Sequence, residues 1–119
     1  MARTAVPGPH HTATTDRRWS GPATERRLAN DAPERVLRRV FAYVDPQNPE
    51  TETAAKFPHH EVAKPMKVGP ANIRAARNGI SILNGGRGGA DISDRDRRAI
   101  YRHLAAHLRD AGEDPPPLK

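Results

Sequence analysis

The stretch Ile80-Ser-Ile-Leu-Asn-Gly-Gly-Arg-Gly-Gly-Ala-Asp-Ile-Ser-Asp-Arg-Asp-Arg-Arg-Ala-Ile-Tyr-Arg-His-Leu-Ala-Ala-His-Leu-Arg109 decides how the chain is read. One helix ends in it, a glycine-rich loop follows, and a second helix begins. Ser93 is placed to cap the amide of Asp96, and Asp94 and Asp96 sit at the positive end of the helix dipole. Ile100, Leu104, Leu108 and Ala111 recur as one apolar stripe, with Tyr101 and Ala105 beside it. Gly112 is the expected stop, and Pro115-Pro116-Pro117 prevents a restart.

Upstream, Ile73, Ala76, Ile80 and Leu83 give a second helix one apolar face. Gly69-Pro70 reads as its opening, with Pro70 at the first helical position. Gly85 falls where a left-handed C-cap is expected.

Further upstream the pattern changes. Trp19 to Ala29 reads as a short helix with Ser20 or Gly21 as N-cap and Pro22 in its first turn. Trp19 can fold back on that turn as a staple. Glu34 to Arg39 can form another helical turn. Val40 to Val44 has strand composition, and Lys56 to Val62 is a weaker strand. Pro58 lacks an amide hydrogen and assigns that segment to a sheet edge or to a place outside the sheet. Asp45-Pro46-Gln47-Asn48-Pro49 is a turn by composition. Lys64 to Val68 is a short extended connection.

The chain has 119 residues, room for one small domain. Met1–Arg18 holds one sizeable aliphatic, Val6, too little to offset the entropy of ordering. The domain boundaries expected are therefore a disordered basic tail over 1–18, a single α+β domain over 19–114, and a Pro-rich tail over 115–119. The α+β domain consists of a short N-terminal helix, a small two- or three-stranded sheet or ribbon, and two C-terminal helices joined by the Gly-rich loop. Most of the five aromatics should lie in its core.

With no cysteine, disulfides and thiolate metal sites are excluded. No apolar run reaches the length of a membrane span or a signal-peptide core. No membrane partner is expected, and the expected location is cytoplasmic, without secretion by a signal peptide. The net charge of +6 favours acidic partners, nucleic acid among them, although fourteen acids are interleaved with the bases.

The loop Gly85-Gly86-Arg87-Gly88-Gly89 has two readings. It can reverse the chain between two packed helices, or its backbone and Arg87 can hold an anion. No strand precedes it and no Gly-Lys-Ser/Thr follows, so it is neither a P-loop nor a dinucleotide fingerprint. The nine residues from Asn84 to Ile92 are also too many for a helix-turn-helix turn. On the last helix Arg95, Arg98, Arg102 and Arg109 can share a face able to track phosphates. With Arg87 they are the candidate anion or nucleic-acid contacts. The rival reading is a solvated face neutralised by Asp94, Asp96 and Asp110.

His103 and His107 are four apart and can face the same way, and His59 and His60 could approach them. The glutamate of a zincin His-Glu-x-x-His is absent, because Leu104 follows His103. Four ligands at a closed spacing are not evident in the sequence. The histidines are read as flanking or interhelical, with no metal site, no cofactor and no catalytic residue. Ser20, Ser81 and Ser93 are explained as cap and turn residues.

Several segments together resemble a small domain found as a C-terminal extension of tailed-phage prohead proteases and in related prophage proteins. They are Trp19-Ser-Gly-Pro-Ala23, Phe41-Ala-Tyr-Val-Asp45, Lys56-Phe-Pro-His-His-Glu-Val62, Leu83-Asn-Gly-Gly-Arg-Gly-Gly-Ala-Asp-Ile92, Asp96-Arg-Arg-Ala-Ile-Tyr-Arg-His-Leu104 and Gly112-Glu-Asp-Pro-Pro-Pro-Leu118. Order and approximate spacing match over residues 19–118. The resemblance implies virion assembly or prophage origin, with capsid or scaffold protein as partner. It does not imply proteolysis, because the catalytic residues of those proteases lie in a separate upstream domain. The function expected is a non-enzymatic structural or capsid-assembly module. The alternative is a small basic nucleic-acid-binding protein.

Overall fold

A computed structural model describes residues 6–8, 11–28, 33–44, 55–63, 67–86 and 92–119. The elements in chain order are β1 (Thr14–Thr15), α1 (Gly21–Arg26), α2 (Glu34–Val40), β2 (Phe41–Val44), β3 (Ala55–Pro58), β4 (His60–Ala63), β5 (Lys67–Asn72), α3 (Ile73–Leu83) and α4 (Asp94–Asp110). The class is α+β, with the two C-terminal helices in place. The strands form two small sheets, a three-stranded one in the order β1-β5-β4 and a two-stranded one of β2 and β3. β4 and β2 run antiparallel to their partners β5 and β3, while β1 is parallel to β5.

Local chemistry accounts for the helix ends. The Ser20 hydroxyl accepts from Ala23 N, with proline in the first turn of α1. Ser93 Oγ accepts from Asp96 N at the start of α4. Gly85 and Gly112 take positive φ, 101° and 80°, beyond α3 and α4. α3 starts later than the sequence predicts. Gly69 and Pro70 belong to β5, and the cap is Asn72, whose Oδ1 accepts from the amides of Arg74 and Ala75. Proline with φ near −65° fits extended backbone as well as a helix start, so Pro70 alone cannot distinguish them. The fully buried Asn72 also donates from Nδ2 to the Arg17 carbonyl and to Glu61 Oε2. One side chain thus joins α3, β4 and the N-terminal segment.

The helices α3 and α4 pack through the faces predicted for them. Ile73, Ala76, Ile80 and Leu83 meet Ile100, Leu104 and Leu108, with Phe57, Ala42 and Val6 filling the same cluster. Gly79 sets the approach: a Cβ built there lies 2.6 Å from Leu104 Cδ1 and 3.4 Å from Phe57 Cδ1. A second cluster of Leu28, Leu37, Val40, Phe41, Val44 and Val62 sits under α2. Of the aromatics, Phe41 and Phe57 are buried, whereas Trp19, Tyr43 and Tyr101 are half-buried.

Both expected tails need correction where they are described. Thr14–Thr15 pairs with Ala71–Asn72, Val6 is buried among the helices, and Asp16 pairs with Arg74 at 3.0 Å. The low apolar content of residues 1–18 missed this, because the segment is held by backbone pairing and polar contacts, which hydropathy does not register. At the other end, Tyr101 Oη donates to the Pro116 carbonyl, Asn84 Nδ2 donates to the Pro117 carbonyl, and Leu118 packs on the core. Residues 115–118 are therefore part of the domain surface. The expected turn at 45–49 lies outside the described residues, as does most of the predicted connection at 64–68.

A buried histidine cluster as the candidate functional site

The single strand expected over Lys56 to Val62 is two strands in different sheets, and His59 is the joint. Its amide donates to the Val40 carbonyl at 2.8 Å, and its carbonyl accepts from Asn72 N at 2.6 Å. Just before it, Phe57 has φ 62°, the one non-glycine residue with positive φ among those described. A bulky side chain in that region is strained by about 1–3 kcal/mol and persists only where the surroundings hold it. The surroundings here are the Phe57 ring, buried against α3 and α4, and its carbonyl, which accepts from His59 Nδ1 at 3.1 Å. The turn this makes sends the His59 ring into the core. His60 then opens β4 opposite Ala71, at an irregularity in the pairing between His60 and Val62.

On α4 the four-residue spacing puts His103 and His107 on the buried face with Ile100, Leu104 and Leu108. The four rings converge. His59, His103 and His107 are 0% exposed and His60 is 1% exposed. Ring centroids lie 4.8 Å apart for His59–His60 and His59–His103, 5.0 Å for His59–His107, and 5.2 Å for His60–His107 and His103–His107. One ring nitrogen from each of His59, His60 and His107 lies within 4.8 Å of the other two. His103 joins through its Nε2, 3.0 Å from His59 Nε2.

Backbone carbonyls orient three of the rings from behind. His59 Nδ1 donates to Phe57 O, His60 Nδ1 to Gly69 O at 2.8 Å, and His103 Nδ1 to Pro7 O at 2.9 Å. A carbonyl can only accept, so a ring that makes this bond carries hydrogen on Nδ1 and turns Nε2 towards the cluster as an acceptor. The contact to Pro7 means that the N-terminal segment closes one side of the site. Burial holds His59 well below the ordinary imidazole range. The His103, His60 and His107 rings push the same way, against the Phe57 carbonyl, which favours the charged form.

The sequence reading named all four histidines and allowed that His59 and His60 could approach His103 and His107, but read them as flanking or interhelical. The available signal was the pair His59-His60 combined with His103 and His107 at helical spacing.

The arginines singled out from the sequence are elsewhere. Arg95, Arg98, Arg102 and Arg109 are all exposed on α4. Arg95, Arg102 and Arg109 recur every seven residues and share one band of the helix. Arg98 is held by Asp94 at 2.6 Å. Arg95 and Arg102 flank a depression of about 250 Å³ that also includes Pro7 and Asp96. Arg87 lies outside the described residues. A larger groove, about 1000 Å³, runs between α1 and α3 past Trp19, Lys56, Arg74 and Asn78. Among the described residues no helix is long and apolar enough to cross a membrane. Ser20 and Ser93 are occupied as caps.

No family model, no curated protein and no solved structure matches this chain.

Proposed function

We propose that this chain is a non-enzymatic structural module that works through protein–protein contacts, in the setting of phage or prophage particle assembly, with capsid or scaffold protein as partner. The observation that carries the structural part is the sealing of the histidines. The side chains best suited to chemistry are 0–1% exposed and enclosed by β3, β4, α4 and the Pro7 carbonyl. A general acid, base or nucleophile must reach its substrate within hydrogen-bond distance. Groups enclosed in this way serve the fold instead.

The particle setting rests on the resemblance to the prohead-protease extension. Several of the segments that carry it also build the interior, Phe41, Ala42 and Val44 coming from one of them. Lys56–Val62 supplies Phe57, His59, His60 and Val62, and Asp96–Leu104 supplies Ile100, His103 and Leu104. Partner contacts then fall to the outer surface, where the groove past Trp19, Lys56 and Arg74 offers a concave space of about 1000 Å³.

The test is co-expression with the neighbouring capsid and protease genes, followed by particle purification. The chain is expected as a stoichiometric component of particles or of their precursors. Free protein with no particle association at any stage contradicts the proposal.

A second reading, phosphate binding through the arginine band of α4, is favoured by the shared exposure of Arg95, Arg102 and Arg109. A gel-shift titration at two salt concentrations decides it, because phosphate contacts make affinity fall steeply with salt.

A further inference from the structure

We infer that His59, His60, His103 and His107 bind one divalent first-row transition-metal ion, zinc by its chemistry, in a closed tetrahedral site inside the core. The inference rests on the structural reading above only for the ion's role, which is to brace the fold.

The hydrogen positions make the first argument. A neutral imidazole has one N–H. When His59 and His103 each give theirs to a carbonyl, Phe57 O and Pro7 O, both Nε2 atoms are left as acceptors. Those two nitrogens are 3.0 Å apart. Two nitrogens at that separation need either a hydrogen or a positive ion between them. A hydrogen there either costs one of the two carbonyl bonds, with that ring neutral, or makes one ring an imidazolium, a charge that burial opposes. A metal ion keeps both carbonyl bonds.

The distances make the second argument. Bonds of about 2.0–2.1 Å to a tetrahedral ion put ligand nitrogens about 3.3 Å apart and imidazole centroids about 5 Å apart. The His59–His103 nitrogen pair is at 3.0 Å, and five of the six ring pairs, all but His60–His103, have centroids between 4.8 and 5.2 Å. The nitrogens of His59, His60 and His107, within 4.8 Å of one another, draw inward by at most about 1.5 Å.

The surroundings make the third. Metal-bound histidines characteristically donate their other N–H to a carbonyl or carboxylate, which fixes the tautomer and strengthens the donor nitrogen. Three of the four rings already do so. The strained backbone at Phe57 is explained by the same need, since it turns His59 inward and supplies its carbonyl partner.

Four neutral nitrogen donors suit zinc, copper or nickel and not magnesium or calcium. Imidazole donors in a tetrahedral arrangement favour zinc over copper(II) and nickel(II), which favour planar ones. Four protein ligands leave no open position, the mark of a structural site. Through His103 and Pro7 the ion also couples the N-terminal segment to the core.

The experiment uses the full chain without a histidine tag. Metal is quantified after gel filtration, stripped with a chelator, and replaced by zinc or by cobalt(II). The expected result is about one equivalent of metal per chain. Chelation should lower the unfolding midpoint by roughly 10 °C or more, one equivalent of zinc should restore it, and cobalt should give the intense visible bands of a tetrahedral complex. Metal well below one equivalent, together with an unfolding midpoint indifferent to zinc and chelator, overturns the inference. His107→Gln should lower zinc affinity at least about tenfold, and an affinity equal to wild type also overturns it. If that variant fails to fold, the cobalt spectrum of the wild-type chain decides. Particle association is a separate readout, so loss of either claim is seen independently of the other.

Discussion

Replacing Gly79 by alanine tests the packing that holds α4 at the depth its histidines need. In a helix interior, alanine is favoured over glycine by about 1 kcal/mol. Opposing this, the new Cβ would lie 2.6 Å from Leu104 Cδ1 and 3.4 Å from Phe57 Cδ1. Leu104 is fully buried, so its end must rotate within the core or α4 must move outward. Overpacking of this kind costs about 1–3 kcal/mol. The sum is a net destabilisation of up to about 2 kcal/mol for Gly79→Ala, read as a lower midpoint in urea unfolding with unchanged slope. Leu104→Ala alone should cost about 2–5 kcal/mol. In the Gly79→Ala background it should cost less, because the clash has been removed. A double-mutant cycle should therefore return a coupling of about 1 kcal/mol or more. Stabilisation of Gly79→Ala by the full helix-propensity gain, with no coupling to Leu104, refutes the close approach of α3 and α4.

Other outcomes follow from the same structure. Asn72→Ala removes the α3 cap and the contacts to Arg17 and Glu61, so it should lose about 2–4 kcal/mol. It should also increase amide exchange at Ala71, whose N–H is bonded to Ala13. The metal-free protein should lose stability in acid. The unfolded chain takes up a proton on His59 as pH falls through about 6.5, while the buried ring, its value lowered, does not. Stability is therefore complete above that pH and falls below it, by at most about 1.4 kcal/mol per pH unit for this group. Flat stability between pH 7 and 5 contradicts a neutral buried His59. Replacing Arg95, Arg98 and Arg102 together by alanine should weaken any nucleic-acid binding alike across sequences and reduce its salt dependence. No gel shift by the wild-type chain at low salt removes the nucleic-acid reading.

The C-terminal half could be read from sequence because its signals are local. Ser93, Asp94 and Asp96 define one helix start, and the recurrences Ile73–Leu83 and Ile100–Leu108 define two faces that meet each other. The start of α3 was misplaced because Pro70 suits a strand end as well as a helix, and the deciding residue, Asn72, acts through a side-chain bond two and three residues ahead. The break at His59 was hidden because it depends on positive φ at a phenylalanine, which residue type opposes. The histidine cluster joins positions 44 residues apart. Its ligand spacing is set by how β3, β4 and α4 pack, so a search for closed sequence spacing could not find it. The N-terminal segment contributes backbone carbonyls, and composition gives no signal for those.

The tautomers of His59 and His103 are the most direct test of the central claim, that these rings turn acceptor nitrogens towards a shared ion. Nitrogen-15 NMR of imidazole-labelled protein reads each ring nitrogen separately. The account predicts hydrogen on Nδ1 of both residues and no hydrogen on either Nε2, with both Nε2 signals moving when one equivalent of zinc is added to stripped protein. An Nε2–H on His59 or His103 that persists in the presence of zinc would mean that a proton joins the rings, and would contradict it.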